Sequence, residues 1–78
     1  MTIAVELTRS VDGPEVKAML EAGGVEAELE DGGCGLVVRA EDAETVSHLL
    51  EAWSAERGLP FMPLQLDGSS FALVPPAG

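Results

Sequence analysis

Three carboxylates recur at every second position in Val25-Glu26-Ala27-Glu28-Leu29-Glu30. Residues two apart on an extended chain share a face, so this spacing predicts a strand with Glu26, Glu28 and Glu30 toward water. Val25, Ala27 and Leu29 then turn inward. Such a row offers regularly spaced negative charge to a basic surface. General acid–base work would require two of these groups in a pocket with their proton affinities driven apart, and nothing in the sequence predicts one. The same row also fits a simpler use, guarding an edge strand against aggregation.

The remaining reactive side chains are isolated. His48 is the only histidine; it falls on the polar side of a helical pattern, away from any nucleophile. Cys34 follows two glycines in Gly32-Gly33-Cys34-Gly35, beside Glu30 and Asp31; neighbouring acids disfavour the thiolate that a nucleophile needs. That glycine run lacks the Lys-Ser/Thr ending of a phosphate loop. Asp67-Gly68-Ser69-Ser70 has too few oxygen ligands for a calcium loop. Arg9, Lys17, Arg39 and Arg57 are scattered, whereas a nucleic-acid footprint gathers its cations. No catalytic residue, metal site or cofactor site is predicted, and the chain reads as non-enzymatic.

Asp and Glu number 14 against 4 Lys and Arg, a formal net charge of −10 over 78 residues. That field makes nucleic acid and anionic membranes poor direct partners and favours a protein with a basic surface; self-association is the alternative. High acidity equally serves solubility. Residues 1–78 are expected to form one small domain, since so short a chain does not divide into two cores. A lone cysteine allows no internal disulfide, which fits a reducing, cytoplasmic setting. Neither a leader-like basic and apolar start nor a membrane-length apolar run is present.

These groups need elements to position them. Residues 2–8 alternate, with Ile3, Val5 and Leu7 on one side, and predict a first strand. Pro14 suits a helix's first turn, with Asp12 or Gly13 as its cap, Val16, Met19 and Leu20 as its stripe, and Gly23-Gly24 as its stop. A tight hairpin turn centred on Gly32-Gly33 pairs Leu29 with Leu36, Ala27 with Val38, Glu26 with Arg39 and Glu28 with Val37. Ala43, Val46, Leu49, Leu50 and Trp53 predict a second helix from about 42 to 57, ended by Gly58 and Pro60. A last hairpin, 61–66 and 71–74 around Gly68-Ser69, pairs Leu66 with Phe71 and Leu64 with Leu73; Pro63 and Pro75 place it at a sheet edge. Residues 75–78 read as a frayed tail.

The order β-α-β-β-α-β plus a C-terminal hairpin strand is an α+β arrangement that resembles the ferredoxin-like split βαβ plan. That resemblance implies both helices on one face of an antiparallel sheet, with strands one and three central and strand two at an edge. The opposite face would expose Thr2, Ala4, Glu6 and Thr8, then Glu26, Glu28 and Glu30, then Val37 and Arg39, with Pro63, Gln65, Ala72 and Val74 from the last hairpin. Glu6, Glu26, Glu28, Glu30, Val37 and Arg39 are therefore the candidate partner-binding residues of a small interaction module, which pairing of two copies would make homodimeric. In size and charge the chain is also similar to some phage-encoded anti-CRISPR proteins, which implies an alternative role as an acidic mimic of nucleic acid that inhibits a basic effector. A small-ligand regulatory domain is a further alternative, with Gly23-Gly24 and Gly32-Gly33 admitting a ligand to backbone N–H groups.

Overall fold

The computed structural model describes residues 1–58, 62–67 and 69–74. The order is β1 (Thr2–Glu6), α1 (Gly13–Ala22), β2 (Glu26–Glu30), β3 (Gly35–Arg39), α2 (Ala43–Arg57), β4 (Met62–Asp67) and β5 (Ser70–Val74). Two 3₁₀ turns, Ser10–Asp12 and Asp31–Gly33, adjoin α1 and β3. The expected tail at 75–78 and the helix stop at Pro60 lie outside the described residues. No described helix is long and apolar enough to cross a membrane.

Alternation makes the sheet two-sided. Ile3 and Val5 of β1, Ala27 of β2, Leu36 and Val38 of β3, and Phe71 and Leu73 of β5 are buried in one cluster with Val16 and Leu20 of α1 and Val46, Leu50 and Trp53 of α2. Both helices thus cover one face, and burial of these side chains from water is the main force holding the two layers together.

Each helix is bounded as its residues dictate. At the end of α1, Gly24 takes φ +87° while Val25 N–H reaches Leu20 O and Gly24 N–H reaches Glu21 O, satisfying carbonyls that the helix leaves free. The Asp42 carboxylate caps α2 by accepting the Thr45 N–H at 2.7 Å, which holds its pKa below the ordinary value. Gly58 closes α2 in the left-handed region. Asp12 stands at the N-cap position of α1, as expected, but its side chain makes no capping bond. Its buried carboxylate instead takes two hydrogen bonds from Arg9, each 2.9 Å, and the 3₁₀ turn leads directly into the helix.

The five-stranded sheet has the order β2-β3-β1-β5-β4. As expected, β3 and β1 are interior and β2 is an edge. The sheet is not antiparallel throughout, however: β5 lies parallel to β1 and separates it from β4. The ferredoxin-like strand order is thereby broken. The sequence does carry a reason. Ser70–Val74 is apolar on both sides from Phe71 onward, the pattern of a strand with neighbours at both edges, whereas β4 carries Pro63 and Gln65, which suit an edge.

The β2–β3 register is the expected one, with Ala27 opposite Val38, Leu29 opposite Leu36 and Glu28 opposite Val37. The turn is wider. Pairing ends at Glu30–Gly35, and Asp31, Gly32 and Gly33 take φ of 50°, 65° and 104° before Cys34 N–H bonds to Asp31 O at 3.2 Å. Gly33 is buried against the turn before α1, where a Cβ would stand 2.5 Å from Ser10 O. That close approach explains the wider loop: the hairpin tip packs into the start of α1, and only glycine fits there.

The last hairpin differs from expectation by one residue. Its turn is placed as expected, with Asp67 opposite Ser70 and the Asp67 carboxylate accepting Ser69 N–H at 2.7 Å, which lowers the Asp67 pKa. An irregularity between Gln65 and Asp67 then inserts Leu66, so Gln65 faces Phe71, Leu64 faces Ala72 and Met62 faces Val74. Past the bulge, every side chain of β4 changes face.

Candidate protein-interaction face

No described helix covers the second face of the sheet. Strand pairing sets its side chains in cross-sheet rows: Glu26, Arg39 and Thr2; Glu28, Val37, Ala4 and Ser70; Glu30, Gly35, Glu6, Ala72 and Leu64. Met62 stands opposite Val74 in a row beyond these. All six candidate partner-binding residues, Glu6, Glu26, Glu28, Glu30, Val37 and Arg39, therefore share this face. Glu6, Arg39 and the three β2 glutamates are exposed, and Val37 is half-buried.

The face is chemically divided. At the β2 side the only described ion pair is Arg39 with Glu26, at 3.9 Å between largely exposed groups. So long and wet a pair binds weakly, leaving the β2 row electrically available. An open depression of about 380 Å³ runs around this edge, lined by Glu21, Glu26, Ala27, Glu28, Val37 and Arg39. Glu21 in this lining is already paired with Lys17 at 2.9 Å, and Arg39 stands beside Glu26 and Glu28.

The β4 side is apolar. Met62 is 64% exposed, Leu64 52% and Val74 39%, with half-buried Ala72 between them. Sequence reasoning placed Pro63 and Gln65 here, and the bulge replaces them with Met62 and Leu64. The expected small apolar centre flanked by acid is instead an apolar margin opposite an acidic one. The run Met62-Pro63-Leu64-Gln65-Leu66 alternates strictly, so its pattern predicts burial of the methionine and leucines, and the irregularity at Leu66 instead turns Met62 and Leu64 outward.

The other reactive side chains do not converge on a site. His48 is exposed on α2. Half-buried Cys34 sits at the hairpin tip, where its carbonyl accepts Leu7 N–H at 2.8 Å and ties the end of β1 to the loop. Among the described residues no group of three or more His, Cys, Asp and Glu is disposed to hold a metal ion. No protein-family model matches the chain, and no curated protein matches it.

Proposed function

We propose that this chain is a non-enzymatic interaction module that binds a basic protein surface through its uncovered sheet face. The observation that carries this reading is the placement of Glu6, Glu26, Glu28 and Glu30 on one helix-free surface that also carries exposed apolar side chains. Carboxylates steer a cationic partner and set its orientation, while burial of the neighbouring apolar groups supplies affinity. The test is charge reversal: Glu26→Lys with Glu28→Lys should abolish complexes captured from the native host while the circular dichroism spectrum stays unchanged. Unaltered recovery of every partner by this variant would remove the proposal.

A second reading rests on the β2 row alone. Alternate strand residues lie roughly 6.6–6.8 Å apart, a spacing of the same order as successive phosphates, so Glu26, Glu28 and Glu30 would mimic a nucleic-acid strand in a basic channel. Competition between this chain and nucleic acid for one effector, steeply weakened by salt, supports mimicry. Simultaneous binding of both counts against it.

A further inference from the structure

We propose that Pro63 is the register pin of β4: its missing N–H holds the strand in the bulged pairing and so keeps Met62 and Leu64 on the open face. Nothing in this inference depends on what binds that face.

Two registers of β4 are compatible with the same turn. With Asp67 kept opposite Ser70, a bulge-free pairing would set Leu66 opposite Phe71, Gln65 opposite Ala72, Leu64 opposite Leu73 and Pro63 opposite Val74. Phe71 and Leu73 are buried on the helix side of the sheet, and Leu66 and Leu64 would join them there. The observed register inserts Leu66 instead and leaves both leucines more than half exposed. A bulge also takes one residue out of the ladder. Apolar burial and ladder pairing thus both favour the bulge-free register, so another residue opposes it.

The backbone directions identify that residue. Ala4 N–H donates to Ser69 O at 2.8 Å across the parallel β1–β5 pair. Peptide groups point to alternate sides along a strand, so those of Phe71 and Leu73 face β1 and those of Ser70, Ala72 and Val74 face β4. In the observed register Ala72 and Val74 stand opposite Leu64 and Met62, whose N–H and C=O groups therefore turn toward β5. Pro63, opposite Leu73, then has its ring nitrogen toward the open edge, where no ladder bond is forfeited. The bulge-free register reverses this. It sets Pro63 against Val74 in a hydrogen-bonding position, with no N–H for the Val74 carbonyl and with the ring Cδ where the hydrogen would lie. Inserting Leu66 shifts Pro63 by one place and removes the conflict.

The experiment is nuclear magnetic resonance of cross-strand Hα–Hα contacts, which are closest between residues paired without hydrogen bonds. The unaltered chain should show the contacts Gln65–Phe71 and Pro63–Leu73. Pro63→Val restores the N–H and should replace them with Leu66–Phe71 and Leu64–Leu73. Exchanging two residues, Pro63→Leu with Leu64→Pro, keeps the composition and should make the same switch, because position 64 faces the edge only without the bulge. Burial reads the change independently: Leu64→Ala should leave the parent's Tm within about 4 °C and lower that of Pro63→Val by more. A Leu66–Phe71 contact in the unaltered chain, or retention of Gln65–Phe71 in either variant, would overturn the proposal. If Pro63→Val does not fold, the exchange decides. Loss of folding in both also overturns it, since the bulge-free pairing is then no alternative.

Discussion

Leu64 lies opposite Ala72, not opposite Leu73. That offset of one residue decides which side chains of β4 meet water, and it creates the apolar margin of the open face. Leu73 is buried against the helices, whereas Leu64 is half exposed. The two leucines therefore answer truncation differently. Leu73→Ala should cost about 2–5 kcal/mol, and Leu64→Ala should stay within about 0.5 kcal/mol of the parent. Urea denaturation of the two variants reads the difference; comparable losses would mean that Leu64 belongs to the core.

The hairpin tip between β2 and β3 makes a second distinction. Gly32 and Gly33 both have positive φ, but a Cβ on Gly32 meets open space and one on Gly33 meets Ser10 O. Gly32→Ala should cost about 1 kcal/mol, from backbone conformation alone. Gly33→Ala should cost more, about 2–3 kcal/mol, because the tip must also withdraw from the start of α1. Equal thermal shifts would contradict the packing described for this loop.

Ser54 of α2 is buried, and its hydroxyl finds no hydrogen-bond partner among the described residues. A buried hydroxyl without a partner opposes folding, and alanine is the better helix former. Ser54→Ala should stabilise by about 1 kcal/mol, read as a rise in Tm of about 4–8 °C. A fall in Tm would show that the hydroxyl is satisfied.

Asp42 and Asp67 each accept backbone N–H bonds that lower their folded-state pKa values below 3.8. Their contribution is complete above the unfolded carboxylate pKa and disappears as pH falls through the depressed folded values. Thermal unfolding from pH 7 to 2 should therefore show the double variant Asp42→Asn, Asp67→Asn losing less stability than the parent below about pH 4. Parallel curves would mean that neither cap titrates with folding.

Much of this architecture was legible because a strict alternation has only one register that buries its apolar set. Glu26 through Glu30 against Gly35 through Arg39 is such a case, and Ala43 through Arg57 is its helical equivalent. The acidic margin followed from the same pattern. The last hairpin escaped because its alternation points Met62, Leu64 and Leu66 inward, whereas the inserted residue turns Met62 and Leu64 outward, and an insertion leaves no mark in a period-two pattern. The place of β5 escaped for another reason: alternation reports which face of a strand is buried and is silent about which strand lies beside it. Its continuous apolar run from Phe71 to Val74 was the available hint.

The parallel seating of residues 70–74 beside residues 2–6 has a consequence for biogenesis. On the ribosome the first four strands and both helices are synthesised before residues 70–74, so the pairing of residues 2–6 on that side waits for the last strand. Assembly of the finished sheet is therefore governed by long-range closure, slower than its length alone would set.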